Sequence, residues 1–295
     1  MLALVIFSAI VGLGITMGLS SDDTETETDS NDLPDPRDIE REYETPDRTG
    51  TGSADLLQGS AEDNTIDGRG GDDRISGFRG NDTLYGGRGD DTLLGGSGDD
   101  NLVGGRGNDY LDLGPGNDVV DSRLTELSEF YGDDTISGGD GHDWIADGFG
   151  SNEIHGGAGN DMLIAVDGAD SAGRYNTVSE RGTADTITGG DGNDTIIASD
   201  GDVVSGGAGR DDLYVLHRIG ERSFTPDPVE VTDFDTSEDV LIIRDLDRGA
   251  DVYNLSMRHD PDQGGLRVFV GEQEVAFLRG LTANDIQDVV TQRRG

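Results

Sequence analysis

Aspartate recurs every nine residues through a glycine-rich part of the chain, in units such as GGRGDDTLL at residues 86–94 and GGSGDDNLV at residues 95–103. When the unit is numbered from one to nine, glycine recurs at position four, aspartate at six, and isoleucine, leucine or valine at eight. Carboxylates and the unobstructed carbonyl groups of glycine-rich turns are ligands of the kind that Ca²⁺ takes in sets of about six to eight oxygens. Mg²⁺ fits less well, because it demands near-octahedral geometry and releases its waters reluctantly. The pattern therefore predicts a series of calcium sites.

The element that must carry these aspartates is a short strand followed by a turn. Positions seven to nine, for example Thr92-Leu93-Leu94, predict a very short strand with one inward-pointing aliphatic side chain. Positions one to six must then reverse the chain, which glycine permits through positive φ angles and close backbone approach. Two units make one coil, and stacked coils lie ~4.8 Å apart. This places Asp91 next to Asp109, and such columns of like charge need a cation to stack.

Units of this kind extend over about residues 59–214, with interruptions at about residues 122–128 and 165–180. About a dozen copies of GGxGxDxUx, where U is a large aliphatic residue, resemble the haemolysin-type (RTX) calcium-binding repeat family. The resemblance implies an all-β fold, a parallel β-roll, in which position-six aspartates bind several Ca²⁺ ions between each turn and the turn two units later. The residues that it assigns to the metal are Asp73, Asp82, Asp91, Asp100, Asp109, Asp118, Asp134, Asp143, Asp161, Asp185, Asp194 and Asp211.

Several units depart from the repeat, which weakens the prediction for individual sites and leaves the roll unchanged. Asp185 is the weakest of the assigned residues, because its loop carries Thr183 where glycine is expected. Position six lacks a charge in two units, and position five lacks its usual Asp or Asn in two others. The residues concerned are Asn64, Asn152, His142 and Arg210.

The composition excludes an ordinary hydrophobic core and several classes of partner. The chain has 62 acidic residues against 21 basic ones, a net charge of −41 and a hydrophobic fraction of 32%. Such a chain is disordered unless a cation neutralises it. Nucleic acid and anionic membrane surfaces would be repelled by the charge. The absence of cysteine excludes disulfides as the missing source of stability.

The N-terminal part predicts an exported protein. Residues 2–19 are uncharged and apolar except for Ser8 and Thr16, so residues 1–19 are expected to be a signal peptide or a membrane anchor. The sequence leaves open whether this segment is cleaved or attaches the protein to a membrane. Residues 20–50 are acidic and contain proline, which predicts a disordered acidic linker. The expected location is extracellular or on the envelope of a bacterium-like cell, by an N-terminal or a type I export route.

The C-terminal part, residues 215–295, predicts a small β-rich cap on a roll at residues 51–214. The stretch VEVTDFDTSEDVLIIRDL at residues 229–246 alternates as strands do and resembles the segment that closes the RTX roll in serralysin-type proteases. Residues 266–278 predict a hairpin around Gly271-Glu272. A short final helix is expected from Thr282 onward, with Thr282 as N-cap and Asp285 three residues later.

No catalytic motif stands apart from the repeats in the sequence. The HExxH motif of serralysin-type zinc proteases is missing, the four histidines are scattered, and Arg88-Gly89-Asp90 follows from the repeat pattern itself. The leading hypothesis is a non-enzymatic exported protein whose repeats fold on binding calcium. Two alternatives stay open: a secreted enzyme whose activity on polysaccharides or peptides lies in residues 215–295, and an adhesin that uses the roll as a spacer.

Overall fold

Each regular repeat contributes one strand, and this strand is longer than the three residues that the pattern predicts. The strand Thr92–Ser97 covers positions seven to nine of one unit and positions one to three of the next. The glycine pair stays in the strand because its backbone keeps pairing with neighbouring strands, as Gly139 does with Gly157. The turn proper is therefore only about three residues long, and position six is its last residue.

The computed structural model describes residues 47–121, 132–147, 150–166, 184–217, 227–245, 250–251 and 255–286. The predicted apolar segment at residues 1–19, most of the acidic linker predicted at residues 20–50 and the final helix beyond residue 286 lie outside the described residues. The end of the predicted linker is not disordered, because residues 47–49 form a strand that pairs in parallel with residues 65–67. No helix within the described ranges is long and apolar enough to cross a membrane.

The described residues contain 23 strands. The first twelve are β1 (Asp47–Thr49), β2 (Leu56–Gln58), β3 (Thr65–Asp67), β4 (Arg74–Arg79), β5 (Thr83–Arg88), β6 (Thr92–Ser97), β7 (Asn101–Arg106), β8 (Tyr110–Pro115), β9 (Val119–Asp121), β10 (Thr135–Asp140), β11 (Trp144–Asp147) and β12 (Glu153–Ala158). The others are β13 (Met162–Ala165), β14 (Thr186–Asp191), β15 (Thr195–Ala198), β16 (Val203–Ala208), β17 (Asp212–His217), β18 (Val229–Val231), β19 (Val240–Asp245), β20 (Ala250–Asp251), β21 (Leu255–Asp260), β22 (Gly265–Val270) and β23 (Gln273–Arg279).

Successive strands alternate between two sheets, which is the topology of a parallel β-roll. One sheet has eleven strands, the odd-numbered strands β1 to β19 followed by β20. The other has twelve strands, the even-numbered strands β2 to β18 followed by β23, β22 and β21. Neighbours from β1 to β19 are parallel and one coil apart, as in the pairing of Ile75 with Leu93. The predicted fold class, an all-β parallel roll, is confirmed.

The core of the roll is one aliphatic side chain wide in each sheet. The position-eight residues point inward and are at most 2% exposed. Burying a side chain of this size stabilises a fold by about 1.5–3 kcal/mol, whereas each glycine in a strand costs roughly 0.5–1 kcal/mol relative to alanine. The members of this core are Ile66, Ile75, Leu84, Leu93, Leu102, Leu111, Val120, Ile136, Ile145, Ile154, Leu163, Ile187, Ile196, Val204 and Leu213.

The repeat interruptions fall on one flank of the roll. They lie between β9 and β10, between β13 and β14, and between β17 and β18, and each of these connections runs from an odd to an even strand. The parallel register continues across the first two, with Ile136 opposite Leu111 and Ile187 opposite Ile154. From β4 to β17, every connection from an even to an odd strand is three residues long. The longer connections thus leave the stacking of the coils unchanged.

Beyond the repeats the sheets continue into the C-terminal part. β18 extends the twelve-stranded sheet, and β23, β22 and β21 follow it, the last two pairings being antiparallel. β22 and β23 form the hairpin expected around Gly271-Glu272. Leu266, Val268 and Leu278 from this hairpin join the core of the roll. Where the final helix is expected to start, the N–H and hydroxyl of Thr282 donate to Asp285 Oδ2 at 2.6 and 2.8 Å.

Candidate metal centre

The turns rely on glycine where successive coils approach each other most closely. Gly89 at position four has a φ of +120°, in the region that favours glycine. A Cβ atom on this residue would lie 2.4 Å from the carbonyl oxygen of Gly71 in the neighbouring coil. The carbonyl group of one turn therefore points along the stack at the backbone of the turn two units later.

The position-six side chains form two columns, one along each flank of the roll. In both, the backbone N–H of one residue donates to Oδ1 of the next member, as Asp73 does to Asp91 at 2.7 Å and Asp91 to Asp109 at 2.8 Å. The first column contains Asp55, Asp73, Asp91, Asp109, Asp134, Asn152, Asp185 and Asp202. The second column contains Asn64, Asp82, Asp100, Asp118, Asp143, Asp161, Asp194, Asp211 and Asp239.

The other carboxylate oxygen, Oδ2, is buried without a hydrogen-bond donor in most of these aspartates. It faces the position-one glycine of its own unit and the carbonyl group of the next coil. A Cβ on Gly86 would lie 2.5 Å both from Asp91 Oδ2 and from the carbonyl oxygen of Gly104. Two oxygen acceptors thus converge on one small space, where a cation would satisfy both. The carboxylates with such an oxygen include Asp73, Asp82, Asp91, Asp100, Asp109, Asp118, Asp143, Asp161, Asp194 and Asp211.

Burial makes these carboxylates costly to ionise in the ion-free fold. It raises the pKa to about 6 for Asp91 and Asp100, and to about 7 for Asp109 and Asp118. The backbone N–H donor of the column lowers each pKa in part, while neighbouring aspartates raise it further. In the ion-free fold, these four carboxylates thus titrate much closer to physiological pH than an exposed aspartate does.

Each residue at the end of a column has a side-chain oxygen that accepts a backbone N–H of its own turn. Asp55 Oδ2 accepts the N–H of Thr51 at 2.7 Å, and Asp202 Oδ2 accepts the N–H of Ser199 at 2.7 Å. Asp239 Oδ2 at the end of the second column accepts the N–H of Asp235 at 2.8 Å. At its start, Asn64 Oδ1 accepts the N–H of Ser60 at 2.5 Å. The four end turns thus close without needing a cation.

Sequence reasoning missed three members of the columns, Asp55, Asp202 and Asp239, because their units lack the full glycine pattern. Asp202 lies in the eight-residue unit ASDGDVVS at residues 198–205, and its N–H donor, Asp185, is 17 residues away. These three residues share one sequence feature that could have identified them. Each aspartate directly precedes a strand, and the second residue of that strand is aliphatic. The burial of the Asp147 side chain, which is 4% exposed, was not predicted from the sequence either.

The assigned residues are all in the columns, including those in irregular units. Asp185 is fully buried and its Oδ1 accepts the N–H of Asn152 at 2.7 Å. Asp134 is only half-buried, and its carboxyl group is hydrogen-bonded to that of Asp147. Burial, and then the charge of Asp147, hold the pKa of Asp134 well above its ordinary value.

A further ladder of position-five side chains lies outside the columns and is exposed. The N–H of Asn108 donates to Asp90 Oδ1 at 2.9 Å, so the aspartate of the Arg-Gly-Asp stretch has a structural partner. His142 fits the same ladder: its N–H donates to Asn117 Oδ1, and its Nδ1 accepts the N–H of Asn160 at 2.7 Å. These positions need a side-chain acceptor rather than a charge.

The donor set of the columns suits calcium better than a transition metal. Within the described ranges, no three side chains of histidine, cysteine, aspartate or glutamate converge on one point. A site in the columns must therefore combine carboxylates with backbone carbonyl groups, which Ca²⁺ accepts readily and Zn²⁺ does not favour.

The part of the chain that contains the repeats matches a known protein family. A family model of the RTX calcium-binding nonapeptide repeat, four copies long, matches residues 49–84, 79–102, 85–120, 130–163, 137–171 and 182–213. No curated protein gives a significant match. The matched residues form the coils that carry the two columns of carboxylates. Through these repeats, the chain belongs to the RTX calcium-binding nonapeptide repeat family.

Proposed function

We propose that this chain is an exported protein, not an enzyme, whose repeats fold into the roll when they bind several Ca²⁺ ions. The observation that carries the proposal is the row of buried carboxylate oxygens without donors. Each is an acceptor beside a second acceptor, and this arrangement is unfavourable until a cation is present. Without calcium, repulsion within the columns favours the open chain.

The residues proposed to hold the ions are the twelve aspartates assigned from the repeat, from Asp73 to Asp211. Bound calcium would supply positive charge between successive turns and thereby link their carboxylates and carbonyl groups. Binding free energy then becomes folding free energy, since the open chain does not hold these groups together. Extracellular calcium modules bind at about 10⁻⁴–10⁻³ M, so the same chain would stay open in a cytosol and fold after export.

The parts of the chain outside the roll would export the protein, link the export segment to the roll and cap the roll. Residues 1–19 would direct export or anchor the protein to a membrane, and residues 20–46 would link them to the roll, whose first strand is β1. Residues 215–295 would cap the roll. Support for the cap comes from β18 and β23, which extend the twelve-stranded sheet beyond the last repeat strand, and from Asp233. The carboxylate of Asp233 accepts the N–H groups of Gly206 and Gly207 at 3.0 Å each.

The test is far-UV circular dichroism of the purified chain, titrated first in chelator, then with calcium, and separately with magnesium. We expect a coil spectrum in chelator and a cooperative change to β structure with calcium, but little change with magnesium. A complete β spectrum in chelator would overturn calcium-dependent folding. A calcium response that magnesium reproduces at equal concentration would argue for simple charge neutralisation instead.

A further inference from the structure

The first coil of the roll is built on the same backbone pairing as the later coils. Its strands β1 and β2 pair in parallel with β3 and β4, one coil further along the chain. The turn between them is held in the same way, because the N–H of Gly50 donates to the carbonyl oxygen of Asp67 at 2.7 Å. β1 and β2 are the terminal strands of the two sheets. The first coil therefore forms one end of the roll.

Strand β1 has an arginine at the position that carries the aliphatic core in the other parallel strands of its sheet. Arg48 is in register with Ile66, and residues in register on neighbouring parallel strands lie on the same face of the sheet. The Arg48 side chain therefore starts from the inner face. From β3 to β19, the residues of this row are aliphatic and at most 5% exposed: Ile66, Leu84, Leu102, Val120, Ile145, Leu163, Ile196, Leu213 and Leu241.

The charge of Arg48 lies where the aliphatic row of the core ends. Ile66 in the next coil is fully buried, whereas Arg48 is half-buried. An arginine can lay its aliphatic stem along apolar side chains and keep its guanidinium group in water. Among the residues that the structure describes, no carboxylate forms an ion pair with Arg48. The arginine thus places a charge at the end of the core without serving as half of an ion pair.

The end of a roll is the place where such a charge matters most. A terminal strand has unpaired N–H and C=O groups along its outer edge, which can pair with another chain, and inward-pointing charges are one way to prevent this. The terminal strand of the other sheet, β2, carries no charge: Leu56 is 66% exposed and Leu57 packs against the core. A coil stacked on this end would bury the guanidinium group of Arg48 against aliphatic side chains, which is unfavourable without a partner.

We infer that Arg48 prevents the end-to-end association of rolls, by excluding a second copy of this chain from the outer edges of β1 and β2. Backbone pairing and the exposed Leu56 would favour such a contact, and the cost of burying the charge opposes it. Two copies that met symmetrically through this end would each contribute an Arg48 charge to the contact. The inference rests on the parallel fold of the roll and is independent of which cation stabilises the columns.

The test is sedimentation velocity of the full chain in calcium over a range of protein concentrations, for the wild type, Arg48→Leu and Arg74→Leu. We expect the weight-average sedimentation coefficient of Arg48→Leu to rise with concentration toward that of a dimer or larger species, and that of the wild type to stay constant. Arg74 is exposed on β4, so Arg74→Leu removes the same charge and adds the same apolar side chain on the outer face. Wild-type behaviour of Arg48→Leu, or equal association of Arg74→Leu, would overturn the inference.

Two further variants separate the charge from other effects of the substitution. Arg48→Lys keeps the charge and should sediment as the wild type does. The double variant Arg48→Leu with Leu57→Lys moves the inward charge to β2, where Leu57 is in register with Ile75, and should reverse the association. Far-UV circular dichroism in calcium checks that each variant retains the β structure of the wild type. Association of Arg48→Lys, or persistent association of the double variant, would show that the charge at this end does not control it.

Discussion

At the scale of single residues, the position-one glycines are required for space rather than for backbone conformation. Gly86 has no positive φ, yet an added Cβ would lie 2.5 Å from Asp91 Oδ2 and from the carbonyl oxygen of Gly104. Real Cβ atoms do not approach other atoms this closely, so the carboxylate or the next coil would have to move. The atoms that would move are those proposed to bind calcium.

Gly86→Ala should therefore weaken calcium binding and lower the free energy of unfolding by about 1–3 kcal/mol, the usual cost of overpacking. Urea unfolding in saturating calcium and a calcium titration check both effects. The matched control is Gly52→Ala, because a Cβ on Gly52 would meet nothing within 4 Å. Equal stability and calcium affinity in the two variants would contradict this account of the glycine.

At the scale of elements, the end turns differ from the interior turns because their own backbone replaces the cation. Asp202 accepts the N–H of Ser199 through Oδ2 and the N–H of Asp185 through Oδ1, at 2.7 and 3.0 Å. Both donors belong to buried residues. We therefore regard Asp202 as a hydrogen-bonded end of the first column and not as a metal ligand.

Asp202→Ala should lower the stability of the folded roll and leave the number of bound calcium ions unchanged. Each buried N–H left without an acceptor costs about 1–3 kcal/mol, and this variant leaves two. Asp191→Ala serves as control, since Asp191 is exposed on β14. Urea unfolding in calcium and equilibrium dialysis separate the two effects, and a loss of ions in Asp202→Ala would show that this end turn binds metal after all.

The sequence allows the roll to be predicted well, because spacing alone determines which residues stack. Asp91 lies beside Asp109 as the nine-residue period requires, and the aliphatic residues at position eight form the core. The end turns could not be predicted, since they depend on hydrogen bonds to backbone donors in units without the glycine pattern. The burial of Asp147 was missed because regular units have glycine at its position, so the repeat pattern carries no expectation for a carboxylate there.

At the scale of the whole molecule, the buried columns make the folding of the ion-free chain depend on pH. Burial raises the folded-state pKa of Asp109 and Asp118 to about 7, above the ordinary value of 3.8. Between these values the ion-free folded state binds more protons than the open chain, so its stability rises as the pH falls. Above pH 7 these two carboxylates are ionised and this contribution is lost. A proton and a calcium ion are alternative ways to neutralise the same oxygens.

We expect the ion-free chain to gain β structure as the pH is lowered from 8 to 5, and the calcium concentration at half-folding to fall over the same range, because protonation already stabilises the fold relative to the open chain. Far-UV circular dichroism in chelator measures the first effect, and calcium titrations at each pH measure the second. A β content in chelator that stays the same from pH 8 to pH 5 would contradict the raised pKa of the column carboxylates in the ion-free fold.

The uneven distribution of connections between the two flanks has a consequence for how such a protein can change. All connections between even and odd strands from β4 to β17 are three residues long, while those between odd and even strands include every long interruption. The flank with three-residue connections thus fixes the spacing between coils. Residues can be inserted at the other flank without changing that spacing. A peptide epitope grafted between β9 and β10 would therefore be carried at the edge of an intact roll, and successive grafts at β13–β14 and β17–β18 would line up along the same edge.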